Sequence, residues 1–227
     1  MNVEQARFNM IEQQIRPWDV SDARVLELLA AVRREDFVPA AYRHLAFADL
    51  RVPLKSGAQA QAQALGQVML EPRVEARLLQ DAAVAKHERV LEIGAGSGFM
   101  AALLGHRAQR VLSLEIDAEL AQTARANLQR AGVLNVEVRL ADGASANLSA
   151  DAPFDVIVLS GSVPQVPQHL LALLKTGGRL IGIAGQEPVL RVSLVRRTGE
   201  DTWAETQPWD CDAPRLQGFA EPERFQF

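Results

Sequence analysis

Three glycines, Gly94, Gly96 and Gly98, follow the apolar run Val90-Leu91-Glu92-Ile93 and precede Phe99. About twenty residues on, a second apolar run ends in Glu115. A glycine turn at a strand end lets backbone approach a ligand where a Cβ would intrude. A carboxylate at the end of the neighbouring strand can accept hydrogen bonds from both hydroxyls of a ribose. Together they predict a site for an adenosine-bearing cofactor, built from Gly94, Ala95, Gly96, Ser97 and Gly98 with Glu115 and its neighbour Ile116.

The spacing separates S-adenosyl-L-methionine from a dinucleotide. A dinucleotide loop places its third glycine three residues after the second, whereas here Ser97 alone separates Gly96 from Gly98 and Phe99 follows. Glu92 would sit badly beside a diphosphate, which a helix N-terminus otherwise attracts, but suits the ammonium end of a methionine moiety. Asp142-Gly143 ends a third apolar run, where a carboxylate can accept from an adenine amino group. Ser160-Gly161 leaves a fourth run on small residues against which a cofactor can rest.

These residues need a parallel sheet to bring them to one edge. Strands are predicted over Arg89–Ile93, Arg110–Glu115, Val136–Leu140, Asp155–Leu159 and Arg179–Ile183. Between the second and third, a helix capped by Asp117 turns Leu120, Ala124, Leu128 and Ala131 to the sheet and stops at Gly132. The alternation predicts an α/β, Rossmann-like doubly wound, mostly parallel sheet. Leu174-Lys175-Thr176-Gly177-Gly178 reads as a helix end and glycine turn before the last parallel strand. Val189–Val195 and Thr202–Gln207, joined by Thr198-Gly199-Glu200-Asp201, predict an antiparallel C-terminal edge.

Ahead of the sheet, Met10, Ile11 and Ile15 keep helical spacing. A second helix starts at the cap Ser21 and presents Val25, Leu29 and Val32. Residues 1–86 thus read as an N-terminal helical and substrate-cap segment, and 87–227 as the cofactor-binding core, the two forming one compact unit. The Ala/Gln run at 58–64 is rich in helix formers but too uniform to specify packing; a flap and a plain surface loop are both open readings. Pro72 suits the first turn of the helix that follows.

Charge and composition exclude other classes. A formal net charge of −4 offers no concentrated basic face for nucleic acid. No stretch nears the ~20 apolar residues of a membrane span, and charges interrupt the first residues where a signal peptide would be apolar. The single Cys211 allows no internal disulfide and no cysteine-rich metal site. The four histidines have no ligand-like spacing, so no metal is expected. The chain reads as a cytoplasmic protein with packed tryptophans at Trp18, Trp203 and Trp209.

From about Arg7 to Val195 the chain resembles the protein-L-isoaspartate O-methyltransferases. The likeness rests on Val90 to Gly98, Asp142-Gly143, Pro153-Phe154-Asp155 and Leu174-Lys175-Thr176-Gly177-Gly178. It extends to Val32-Arg33-Arg34-Glu35-Asp36-Phe37-Val38-Pro39, similar to that family's Val-Pro-Arg-Glu-x-Phe-Val-Pro. The resemblance implies methyl transfer from S-adenosyl-L-methionine to the carboxylate of isoaspartyl residues in damaged proteins, so the implied partner is a protein or peptide. It places the acceptor near Gln67, Val68 and Leu70. There the family reads Gly-Gln-Thr-Ile-Ser-x-Pro, and this chain reads Gly66-Gln67-Val68-Met69-Leu70-Glu71-Pro72. Both hydroxyl residues are replaced by aliphatic ones, and Glu71 adds a negative charge expected to repel a carboxylate. Two other readings stay open on that account: a small-molecule acceptor, and a cofactor-binding protein without catalysis.

Overall fold

The computed structural model describes residues 2–55 and 67–221. The Ala/Gln run at 58–64 and Gly66 lie outside the described residues. Helix α1 (Val3–Met10) continues through a π turn (Ile11–Ile15) and a 3-10 turn (Arg16–Trp18). Helix α2 (Ala23–Ala31) is capped by Asp22, whose side chain accepts from the Arg24 N–H. Ser21 was expected in that role; instead its backbone N–H, like that of Asp22, donates to Gln80 Oε1, at 2.8 and 2.9 Å. Strands β1 (Val52–Pro53) and β2 (Val68–Met69) form a small antiparallel pair, joining Val52 to Met69 and Pro53 to Val68. Helix α3 (Pro72–Ala82) then leads into the main sheet, with Pro72 in its first turn as expected.

That sheet contains β3 (Arg89–Ile93), β4 (Arg110–Glu115), β5 (Val136–Leu140), β6 (Phe154–Val163), β7 (Leu174–Gln186), β8 (Val189–Arg197) and β9 (Trp203–Thr206). Their order is β5-β4-β3-β6-β7-β8-β9, parallel from β5 to β7 and antiparallel across the last two pairings. This is the doubly wound sheet with an antiparallel edge that the alternating pattern predicts. Chain order reverses between β3 and β6, so a crevice opens beyond their carboxyl ends, where ligands bind in such sheets.

Helices α4 (Phe99–Arg107), α5 (Ala118–Arg130) and the short α6 (Gln168–Leu171) cover the faces. Asp117 caps α5, accepting from the Glu119 and Leu120 N–H groups. Its buried face holds Leu120, Ala124 and Leu128, but Ala131 is exposed at the helix end and Asn127 is buried in the face instead.

Two strands outrun their predicted bounds. β6 reaches Val163 because shifts of register after Phe154 and Val158 let Ser162 and Val163 pair with Ile183 and Ala184. In β7 the glycine turn lies inside the strand: Leu174 pairs with Phe154, then Lys175 to Gly178 bulge out before Arg179 pairs with Val156. Gly178 fits there because a Cβ would lie 2.9 Å from the carbonyl oxygens of Asp155 and Lys175.

The N-terminal helices share one apolar cluster with α3, α4, α5 and one face of the sheet, including Ile15, Leu29, Leu78, Leu103 and Val156. The other face packs Leu91, Leu114, Ile157 and Leu180 against Leu170 and Leu171 of α6. Each such side chain, fully buried, contributes roughly 1.5–3 kcal/mol. Trp209 bridges the ends of the chain, donating to Asp81 at 2.8 Å and meeting the Trp18 ring edge-on. No helix among the described residues is long and apolar enough to cross a membrane.

Candidate active site

The glycine loop is pinned to the strand beside it. Gly94 and Ala95 N–H groups both donate to the Leu114 carbonyl, at 2.8 and 3.1 Å, and Gly96 N–H donates to Glu115 Oε2 at 2.8 Å. The other Glu115 oxygen accepts from the Asp117 N–H at 3.0 Å. Two backbone bonds therefore aim this carboxylate before any ligand arrives, and each oxygen keeps acceptor capacity for a hydroxyl. Gly94 and Gly96 have φ of +92° and +54°, conformations that L side chains resist. Beside Glu115, the apolar Ile116 is left 41% exposed at the cleft, a face on which an adenine ring can lie.

Glu92 takes a different place from the one expected. It is fully buried and lines no part of the cleft surface. Ser113, its register partner on β4, donates to Oε2 at 2.5 Å, and Ser160 donates to Oε1 at 2.8 Å. Burial pushes its carboxyl up to about 7, against the opposing pull of the two serine bonds. Ser160, which does line the cleft, stands between Glu92 and the cleft.

The other predicted residues divide by neighbourhood. Gly143 lines the main cleft and packs directly on Ile93. The Asp142 carboxylate is engaged in the turn after β5, accepting from the Ala144 N–H at 2.9 Å and the Ser145 hydroxyl at 3.1 Å. Ala95 and Ser97 line a smaller pocket that adjoins the main cleft at Gly94, Gly96 and Ser160. Gly98 faces neither; a Cβ there would lie 3.2 Å from the Ala124 carbonyl oxygen, so it permits close packing of α4 against α5.

The wall opposite the loop comes from the β1–β2 pair. Val68 lines both the cleft and the smaller pocket, and Gln67 lines the cleft. Leu54, Met69, Leu70, Phe99 and Met100 make the smaller pocket mainly apolar. The Leu70 carbonyl is fixed by the Arg34 guanidinium, which donates to it at 2.6 Å and to the Ala46 carbonyl at 3.0 Å. Arg34 also pairs with Glu75 and lies 5.0 Å from the centre of the Phe99 ring. Burial raises the Glu75 carboxyl, opposed by that guanidinium. The repulsion expected from Glu71 is offset: Arg51 pairs with it at 3.4 Å, and neither pocket includes it.

Two contributors have no signature in sequence. The C-terminal segment crosses the strand ends, pairing with β6 by the Ser162 N–H to Pro214 and the Leu216 N–H to Ser162, both at 2.8 Å. It brings Arg215, Leu216 and Gln217 to the cleft. Asn127 on α5 donates to the Ser97 carbonyl at 2.8 Å and so steadies the loop from behind. A buried amide in a helix facing a glycine turn is a signal only once the two are known to be neighbours.

Fold and cleft together define a Rossmann-like methyltransferase. The model of the protein-L-isoaspartate(D-aspartate) O-methyltransferase family matches residues 5–211, past the Val195 where the likeness was expected to fade. Protein-L-isoaspartate O-methyltransferase of Rhodopseudomonas palustris is 40% identical over 219 residues, covering 94% of this chain and 95% of the relative. That of Koribacter versatilis is 39% identical over 191 residues, covering 84% and 82%. A Plasmodium falciparum crystal structure, assigned as a protein-L-isoaspartate O-methyltransferase and solved with S-adenosyl-L-homocysteine, shares the fold at a TM-score of 0.76. It is 18% identical and covers 96% of this chain and 99% of its own. The chain belongs to the protein-L-isoaspartate(D-aspartate) O-methyltransferase family.

Proposed function

We propose that this enzyme methylates the carboxylate of isoaspartyl residues in proteins, with S-adenosyl-L-methionine as methyl donor and a cytoplasmic site of action. The observation that carries the reading is one continuous cleft joining the Glu115 carboxylate and the glycine loop to the Gln67–Val68 wall. The residues fit the donor. Glu115 has acceptor capacity left for ribose hydroxyls, Ile116 offers an apolar face for adenine, and Ser160, backed by Glu92, suits the amino-acid end. The Plasmodium structure's bound S-adenosyl-L-homocysteine supports the same cofactor class.

When bound, S-adenosyl-L-methionine supplies an activated methyl group. The chain's work is orientation. A carboxylate with a reference pKa of ~3.9 is ionised at neutral pH and needs no general base. Holding its oxygen in line with the methyl lowers a barrier by roughly 7–11 kcal/mol in favourable cases. The apolar wall of Leu54, Val68, Leu70 and Phe99 excludes water, which would otherwise solvate the attacking oxygen. The named relatives favour a polypeptide acceptor over a small molecule, and an enzyme over a non-catalytic binder.

The test is to incubate the protein with methyl-labelled S-adenosyl-L-methionine and an isoaspartyl peptide, beside its aspartyl twin. Base-labile label on the isoaspartyl peptide alone is the expected result. Equal labelling of both, or of neither, overturns the acceptor assignment.

A further inference from the structure

Both strands of the wall across from the glycine loop are tied, at the end where β1 leaves and β2 enters, to one oxygen atom. Lys55, just after β1, donates from Nζ to Asp117 Oδ2 at 2.8 Å, and Gln67, just before β2, donates from Nε2 to the same oxygen at 3.0 Å. The Asp117 backbone N–H in turn donates to Glu115 Oε1 at 3.0 Å. One residue therefore links the ribose-binding carboxylate to both strands of the β1–β2 pair at one end, where β1 leaves and β2 enters.

This oxygen has no part in capping the helix. The N–H groups of Glu119 and Leu120 are both taken by Oδ1, at 3.0 Å each. Nor does the β1–β2 pair depend on it, because its strands pair directly with one another. The contacts are shielded: the Lys55 and Asp117 side chains are 11% and 19% exposed, so salt screens them less than a surface pair. Glu119 adds a second carboxylate 3.1 Å from the Lys55 ammonium. Burial would raise the Asp117 carboxyl, but the bonds from Lys55, Leu120 and Gln67 outweigh it and hold it below its ordinary range. It is thus ionised wherever the enzyme works at neutral pH.

We propose that Asp117 is a positioning residue for methyl transfer: through Oδ2 it clasps Lys55 and Gln67, fixing Val68 and the acceptor wall relative to the Glu115 turn that takes the cofactor. The inference rests on the reading that Val68 faces the acceptor. Because orientation carries most of the rate, loosening the clasp lowers kcat more than it weakens cofactor binding. It also uncouples the wall from the cofactor.

The full-length enzyme is compared with Lys55→Met, Lys55→Arg, Asp117→Asn and the Lys55→Met/Asp117→Asn double variant. Asparagine keeps a capping oxygen, which guards the fold. Expected are a fall of about fivefold in kcat on the isoaspartyl peptide for Lys55→Met and for Asp117→Asn, and recovery with Lys55→Arg. The double variant is no worse than the singles, since coupled residues are non-additive. Affinity for S-adenosyl-L-homocysteine by calorimetry changes by less than about twofold. Hydrogen exchange supplies a readout independent of methylation: S-adenosyl-L-homocysteine slows exchange over Gln67–Leu70 in the unmodified enzyme and not in Lys55→Met. Unchanged kcat, additive losses, or equal protection of Gln67–Leu70 in both proteins overturns the clasp. An unlabelled isoaspartyl peptide with the exchange contrast intact overturns the acceptor assignment and supports the clasp.

Discussion

The Cβ that Gly94 lacks would lie 2.8 Å from Cδ2 of Leu216, so the first glycine of the loop is in contact with the C-terminal segment. That position is glycine for two reasons, its φ of +92° and the closeness of a side chain from the far end of the chain. Gly94→Ala is expected to weaken S-adenosyl-L-methionine binding by at least about tenfold, since strain of roughly 1–2 kcal/mol adds to displacement of Leu216. Adding Leu216→Ala relieves the collision but not the φ, and restores only part of the affinity. Calorimetry on both variants distinguishes the two contributions; full recovery in the double variant would show that the backbone conformation matters little.

Glu92 makes stability depend on pH. Its carboxyl is raised from an ordinary value of 4.5 to about 7 by burial, so between those values the folded chain holds a proton that the unfolded chain releases. Protonation there stabilises the fold: the contribution is complete below pH 4.5 and is lost as pH rises through about 7. Urea unfolding of Glu92→Gln, which cannot ionise, should lack this decline between pH 5 and 8. Binding of the cationic cofactor favours ionised Glu92 and should tighten over the same interval in the unmodified enzyme only. Parallel pH profiles for the two proteins would exclude Glu92 as the titrating group.

Val68 stands where the resemblance to the family implies a hydroxyl residue, and it borders both pockets. Val68→Thr conserves shape and adds a donor. A hydrogen bond to a charged group is worth roughly 1.5–3 kcal/mol, so kcat/KM on an isoaspartyl peptide should rise by up to about a hundredfold. Leu70→Ser is expected to raise it too, but at a cost in stability, because Leu70 is only 4% exposed. Steady-state kinetics with thermal unfolding checks both; no gain in either would move the acceptor away from this wall.

Arg34 and Glu75 hold that wall from beneath. Both are buried, and Arg34 carries the Leu70 carbonyl. Removing one partner of such a pair leaves an unpaired buried charge, at about 3–5 kcal/mol. Glu75→Ala should therefore lower the Tm by on the order of 10 °C, measured by calorimetry. Arg34→Met/Glu75→Leu, which removes both charges, should recover much of the loss; a double variant as unstable as Glu75→Ala would show that the bonds to Leu70 and Ala46 dominate.

Local patterns disclosed much of this protein. The apolar run into Gly94, Gly96 and Gly98, the strand end at Glu115 and the Asp117 cap are written in consecutive residues, and backbone hydrogen bonding enforces them wherever the chain folds. The pairings that β6 and β7 add beyond their predicted ends are less visible. They depend on bulges, which are settled by the partner strand and not by the strand's own residues. Likewise Asp22 and not Ser21 caps α2, and a distant side chain, Gln80, holds the backbone N–H groups of both.

The sequence by itself determined the class of fold, the succession of strands and helices in the main sheet though not the β1–β2 pair, and the glycine loop at the cleft, because periodicity and glycine conformation are properties of short segments. Tertiary structure alone decided that Glu92 lies buried behind Ser160 and that Gly98 packs against Ala124. It alone brought Leu216 against Gly94 and tied both strands of the β1–β2 pair, at one end, to Asp117. Those outcomes depend on which distant side chain occupies a given few ångströms of space, and only the folded chain, with its competing partners and buried charges, selects it.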